Sequence, residues 1–354
     1  MVVEELDYCV LNNDKALEVI RLIGDGGKCV LNPGQVLVIQ DQIIPPNSPE
    51  VSAAGQILAG FAQQQQTEYY YGIGMASHVL LDHYVKKGDV VVSADPDILM
   101  LGAKGAMGIC LGAAKLAQAI VSGKVIIPQP DSFKVKLTGK LPDHIDIRAT
   151  AMMLVMKIKE HIGSASVVEF YQGADTKLTE SEKAILCGWM QKTGALSALI
   201  VEKECTEPDY FMDLAEQKAV LPVKTEPQQE VRVVFIGGAY GGYLADIKQA
   251  AEQLNGKKIA YKVRLLVAPA TSDIYAKAAD KGYLADIMKA GGMIINQCGN
   301  PAVQARIGEH EIMVSNDIHD EKGYAGPKSS NIYLATTCEA IQCALSGTTG
   351  GEVK

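Results

Sequence analysis

VRVVFIGGAYGGYLADIKQAAEQL, residues 231–254, reads as a strand, a glycine-rich turn and a helix in succession. The next apolar run, YKVRLLVAPA at 261–270, is a second strand of the same kind. A strand that feeds a helix through a tight turn and is followed by another strand predicts α/β layers. The turn GGAYGG, residues 237–242, opens the helix, so its backbone amides are placed to receive a carboxylate or a phosphate. A dinucleotide site would add an acidic residue at the end of the next strand. That strand ends in VAPA, which argues against nucleotide binding.

The same alternation recurs upstream. Residues 36–45 (VLVIQDQIIP) and 88–98 (GDVVVSADPDI) read as short buried strands ending in acidic or proline residues. Between and after them, 50–63 (EVSAAGQILAGFAQ) and 102–123 (GAKGAMGICLGAAKLAQAIVSG) read as helical stretches. A second region opens near 136 with a turn, an amphipathic helix and the strand ASVVEFYQG, and PVKTEPQQEVR, around 226, reads as a linker. The expected organisation is three α/β domains, at 1–135, 136–228 and 229–354.

Composition narrows the function classes. With 354 residues, 48% of them hydrophobic, the chain can bury several cores. Its net charge of −8 and pI near 5.4 offer no basic field for a nucleic acid. The N-terminus MVVEELDYCVLNND carries acids where a secretory signal carries bases, and no apolar run approaches a bilayer span of ~18 residues. Eight cysteines without a CxxC pair read as reduced thiols, so a cytoplasmic protein with no membrane partner is expected.

Candidate site residues follow from position and chemistry. Asp41, Asp95 and Asp97 come just after predicted strands, where side chains gather over a sheet's carboxyl edge. His78 titrates near neutral pH and can act as a base. Asn316 and His319 follow another short strand in a polar loop. Solvated loop aspartates and a packed histidine are the plainer alternatives.

The order and spacing of DQIIP, YYYGIG, GDVVVSADPD, GAKGAMG and VKLTGKLP resemble successive blocks of the aconitase and isopropylmalate dehydratase large-subunit family. VVEFYQGAD, VVFIGGAYGGYLADI, VRLLVAPAT and GPKSSNIYLAT continue the resemblance from about residue 18 to near the C-terminus. It implies an aconitase-like fold of three α/β/α domains around a central cleft, here without the swivel domain. It also implies hydro-lyase chemistry on a small hydroxy acid, assisted by an iron–sulfur cluster on three cysteines.

Those cysteines do not match. The family's Ser-Cys-Thr-Asn-Gly loop falls on Gly238, Ala239, Tyr240, Gly241 and Gly242, and its Cys-x-x-Cys pair falls on Asn300 and Val303, with Cys298 standing alone nearby. The family's Asp-His reads Asp41-Gln42, Asp-Ser-His-Thr reads Asp95-Pro96-Asp97-Ile98, and Cys-His-Gln reads Ala76-Ser77-His78. Its carboxylate-gripping arginines fall on Asp317 and Tyr324, within Ser315-Asn316-Asp317-Ile318-His319 and Gly323-Tyr324, leaving Lys328 as a point charge. Its Met-Glu-x-Gly-Ala segment begins Met190-Gln191. The resemblance thus implies Asp41, His78 and Asp95 in acid–base roles, with Gln42, Asp97, Gly238, Ala239, Tyr240, Ser315, Asn316, His319 and Lys328 lining the ligand. No cluster is expected; a divalent metal on Asp41, Asp95, Asp97 or His319 is the alternative cofactor. The partners implied are a small organic acid and a separate small swivel-domain subunit, which leaves open a non-catalytic binding or regulatory role beside that subunit.

Overall fold

A computed structural model describes residues 1–12, 15–143, 145–217, 228–296, 306–318 and 325–350, and these form two compact units. Unit 1 comprises residues 1–40, 48–71 and 79–219; unit 2 comprises 41–47, 72–78 and 220–354.

In unit 1, β1 (Val2–Glu5) is a short strand ahead of β2 (Tyr8–Asn12). Helix α1 (Lys15–Asp25) leads to β3 (Val36–Gln40), and α2 (Pro49–Gln65) leads to β4 (Glu68–Tyr71). After α3 (Ala76–His83), which begins in unit 2, come β5 (Val90–Ser93), a 3₁₀ segment Pro96–Lys104, β6 (Met107–Cys110), α4 (Ala113–Ser122) and β7 (Lys124–Ile127). Strands β2 to β6 make one parallel sheet in the order β4-β3-β2-β5-β6, and β1 pairs antiparallel with β7. All five residues of β3 are buried, as expected of a strand flanked by partners and covered by helices on both faces. Ala16, Val19 and Ile23 of α1, spaced three and four apart, bury one face against that sheet's core. Ser48 caps α2 by accepting the Val51 amide at 3.3 Å, with Pro49 as the first helical residue.

The rest of unit 1 holds β8 (Asp131–Thr138), α5 (Ile147–Ile158), β9 (Ser166–Gln172), α6 (Glu180–Trp189), β10 (Ser197–Val201) and β11 (Tyr210–Asp213). Its four strands are parallel in the order β10-β9-β8-β11.

Unit 2 is built from β12 (Val233–Ile236), a one-turn α7 (Gly238–Gly241), α8 (Leu244–Leu254), β13 (Arg264–Val267), α9 (Ser272–Asp280), α10 (Tyr283–Ala290), β14 (Met293–Ile294), β15 (Ile312–Ser315), β16 (Asn331–Leu334) and α11 (Thr337–Ser346). Its sheet is parallel in the order β14-β13-β12-β15-β16. The strand, turn and helix expected over residues 231–254 are β12, α7 and α8.

All three parallel sheets follow one rule. The first strand lies inside, the next strands are added on one side, and the chain then crosses to the other side. The crossing opens a crevice at the carboxyl ends of the two strands where the direction reverses. In unit 1 these are β2 and β5 in the first sheet and β8 and β11 in the second; in unit 2 they are β12 and β15.

Two expectations need correction. The helix expected at 102–123 is three elements: the 3₁₀ segment ends at Gly105, which has φ +71°, then MGIC forms β6, and only Ala113–Ser122 is helical. The small residues that suit a helix also suit tight packing of a strand, and periodicity alone does not separate the two. The strand expected at 36–45 stops at Gln40, before Pro45 and Pro46, which have no N–H for a ladder. No helix among the described residues is long and apolar enough to cross a membrane.

Candidate functional site

In unit 2 the reversal point between β12 and β15 is filled by the glycine turn on one side and by Ser315, Asn316 and Asp317 on the other. Asn316, fully buried, accepts the Gly237 amide on its Oδ1 at 3.0 Å and donates from Nδ2 to the Gly241 carbonyl at 3.2 Å and to Thr337 Oγ1 at 2.9 Å. The Thr337 hydroxyl donates in turn to Asp246 Oδ1 at 2.6 Å. Asp317, held by its amide on Ser315 Oγ at 3.1 Å, accepts the Tyr240 amide on Oδ2 at 3.3 Å.

The turn therefore wraps the chain's own side chains. A Cβ at Gly238, whose φ is +72°, would sit 1.9 Å from Asp317 Oδ2, and one at Gly241 would sit 1.8 Å from Asn316 Oδ1. Only glycine fits either place. The amides expected to receive a ligand anion instead receive Asp317 and Asn316.

Beside this turn lies the segment 72–78, pinned to the end of β13 by the bridge between Gly74 and Thr271 and by the Met75 amide on the Ala270 carbonyl at 2.9 Å. Asp41, buried, accepts the Ala76 amide on Oδ2 at 2.9 Å, so its carboxylate sits at the start of α3, where the helix dipole favours negative charge. His78 Nε2 lies 2.7 Å from the Ala239 carbonyl. A carbonyl only accepts, so Nε2 carries a proton. The Tyr243 ring lies 4.7 Å from the imidazole, tilted by 48°. Ser77 Oγ is buried and has no hydrogen-bond partner among the described residues.

In unit 1 the reversal point between β2 and β5 carries a second polar network. Asp95 Oδ2 accepts Asn12 Nδ2 at 2.8 Å, Asp95 Oδ1 accepts the Asp97 amide at 3.0 Å, and Asn12 Oδ1 accepts the Ser93 hydroxyl at 3.2 Å. Asp95 thus caps the 3₁₀ segment. Asp97 Oδ1 accepts Gln191 Nε2 at 3.2 Å, and Lys15 Nζ donates to the Ala94 carbonyl at 3.2 Å. At the neighbouring strand end the Cys110 thiol is pushed up to about 11, chiefly by desolvation and then by the Asp95 carboxylate, with Lys15 opposing.

Unit 2 thus gathers Asp41, His78, Gly238, Ala239, Tyr240, Ser315 and Asn316, and unit 1 gathers Asp95 and Asp97. The Tyr240 side chain is fully buried. Gln42 is half-buried and Lys328 exposed, and neither side chain makes a hydrogen bond among the described residues. His319 lies outside the described residues, as do Cys298, Asn300, Val303, Gly323 and Tyr324. Sequence reasoning missed Asn12, Thr337 and Asp246, whose signal is spatial: each stands at a strand end or helix start facing a reversal point.

The implied cluster was tested against these groups. Ala239 presents a methyl group where the resemblance places a thiolate, and its carbonyl is taken by His78. Among the described residues no group of three His, Cys, Asp or Glu side chains is arranged to hold a metal ion. The described residues do not fit a cubane on three thiolates.

Parallel α/β sheets with polar networks at their reversal points define the class of fold, and residues 56–213 match the Aconitase family (aconitate hydratase). Over those residues the chain is similar to that family, and its relatives carry related names. It is 26% identical to the 3-isopropylmalate dehydratase large subunit 2 of Archaeoglobus fulgidus, over 98% of this chain and 92% of that protein. It is 29% identical to the homoaconitase large subunit of Thermus thermophilus, over 89% and 84%. The crystal structure of Thermococcus kodakaraensis aconitase X (holo-form) shares the fold, with a TM-score of 0.59 at 15% identity, covering 89% of this chain and 83% of that one.

Proposed function

We propose that this chain binds a small hydroxy acid of low charge and adds or removes water across it, as a hydro-lyase without an iron–sulfur cluster. The observation that carries this is the Ser77–His78 pair: a buried hydroxyl without a partner among the described residues, next to an imidazole fixed through Nε2. A buried hydroxyl left unsatisfied costs about 1–3 kcal/mol, which a ligand hydroxyl or carboxylate would offset. In this reading the His78 imidazole takes the substrate proton and returns it, Ser77 Oγ holds the substrate oxygen, and Asp41 fixes the start of α3. In unit 1 both oxygens of Asp95 already accept hydrogen bonds, so its role is to order the ligand-facing backbone.

Low substrate charge follows from the acids. Asp317 stands where the resemblance places a carboxylate-gripping arginine, and a second or third carboxylate on the ligand would meet like charge. Relatives named as large subunits support a small-subunit partner for this chain. The seven described cysteines are all free, which supports a reducing, cytoplasmic location.

The test is turnover of small hydroxy monocarboxylates, read by ultraviolet absorbance of the unsaturated product, with and without a small swivel-domain subunit. Glutamine at position 78 keeps a donor for the Ala239 carbonyl but cannot exchange a proton near neutral pH. His78→Gln should therefore melt with the wild type and lose about 10²–10⁴-fold in turnover. Turnover unchanged in that variant would refute the assignment. The occupied glycine turn favours the second reading, a binding or regulatory subunit; ligand binding by the wild type with no turnover in either assay would select it.

A further inference from the structure

A cavity of about 380 Å³ opens in unit 1, away from both reversal points with polar networks. It lies at the carboxyl ends of β9 and β10, lined there by Gln172 and by Ile200 and Glu202.

Four lysines line it, Lys86, Lys87, Lys104 and Lys183, against two glutamates, Glu180 and Glu202. The resulting formal charge of +2 belongs to a chain whose net charge is −8, so the positive field here is local. The four ammonium groups are not equally committed. Lys104 donates to the Leu81 carbonyl in α3. Lys87 pairs with Glu202 at 2.7 Å with both side chains exposed, and the half-buried Lys183 pairs with exposed Glu180 at 2.8 Å. Lys86 has no ion-pair partner among the described residues. An exposed pair such as Lys87–Glu202 contributes about 0–1 kcal/mol, so an incoming anion can displace Glu202 at small cost.

We propose that this cavity is a binding site for a phosphorylated small metabolite, independent of the chemistry assigned to unit 2. Lysines suit phosphate as mobile point charges, and several around one cavity match a group carrying two negative charges. The volume exceeds what a bare phosphate fills and falls within the range for small-molecule sites. Val85, Ala103 and Ile200 give the organic part an apolar wall, and Gln172 gives it a polar contact.

Calorimetric titration of the full chain with ribose 5-phosphate, inorganic pyrophosphate and sulfate at low salt tests this. Ribose 5-phosphate should bind more tightly than sulfate, and Lys86→Ala combined with Lys87→Ala should weaken it by about tenfold or more. Glu202→Gln should tighten it, because Lys87 loses its competing partner. His78→Gln should leave the affinity unchanged. Pyrophosphate binding tightly while ribose 5-phosphate does not would overturn the organic-phosphate assignment. Absence of binding by either, equal binding of sulfate, or a lysine variant that binds like the wild type would overturn the site.

Discussion

Gly241→Ala tests the packing on which the unit 2 site depends. The added Cβ would lie 1.8 Å from Asn316 Oδ1 and 2.5 Å from its Nδ2, in a place where Asn316 is fully buried and cannot move into solvent. Overpacking of this kind costs about 1–3 kcal/mol. If the strain also turns the amide away, the buried Gly237 N–H loses its acceptor, which costs about 1–3 kcal/mol more. The expected loss is about 2–6 kcal/mol in unit 2, enough to lower its melting midpoint by roughly 10 °C. Because the two units need not unfold as one, calorimetry should be read alongside hydrogen exchange of peptides covering β12 and α7. Faster exchange there, with β3 and β5 unchanged, would locate the damage. Gly241→Ala combined with Asn316→Ala removes the clash, so the pair should couple by about 1–2 kcal/mol. A Gly241→Ala protein that melts with the wild type and exchanges normally at β12 would refute the close approach.

The other predictions concern the groups around the two networks. Thr337→Val removes the hydroxyl between Asn316 and Asp246 and should cost about 1–3 kcal/mol, while Thr337→Ser should cost little; urea denaturation followed at unit 2 peptides reads the difference. The raised thiol at Cys110 leaves little thiolate near neutral pH, so alkylation followed by mass spectrometry should be slow there and climb until the pH nears about 11. Asp95→Asn removes the carboxylate that opposes ionisation, so the alkylation curve should move to lower pH; a curve that stays put would leave desolvation as the whole cause.

Much of the architecture was legible because the signals are local. A run such as VVFI followed by GGAYGG and an amphipathic stretch has one easy solution, and β12, α7 and α8 form as the pattern indicates. The failure at residues 102–123 has the opposite cause. Alanine and glycine pack in a strand or a helix alike, and tertiary contacts placed β6 beside β5. The aspartates after strands were legible as candidates but their partners were not. Asn12 and Asp95 are 83 residues apart, and nothing in the chain between them indicates that both end at one reversal point. Nor does the sequence show that Asp317 enters the glycine turn, since a hydrogen bond between residues 240 and 317 depends on β12 pairing with β15.

The substituted positions, taken with their partners, favour a rebuilt site over a decayed one. Decay by random replacement of buried ionic groups should leave charges and polar atoms stranded, each at a cost that few proteins tolerate in number. Here the changes interlock. The resemblance gives Asp97 a histidine's place and Gln191 a glutamate's, and the Gln191 amide donates to the Asp97 carboxylate at 3.2 Å, so each satisfies the other. Asp317 takes an arginine's place, and a carboxylate can accept the Tyr240 amide where a guanidinium could not. The approach also requires Gly238, because any side chain there would strike Oδ2. Restoring arginine at 317 alone would therefore strip an acceptor from the turn and place a cation against its amides. It should destabilise unit 2 without restoring a grip on polycarboxylates. The polar groups at these positions thus satisfy one another within the fold, which is what a rebuilt arrangement requires.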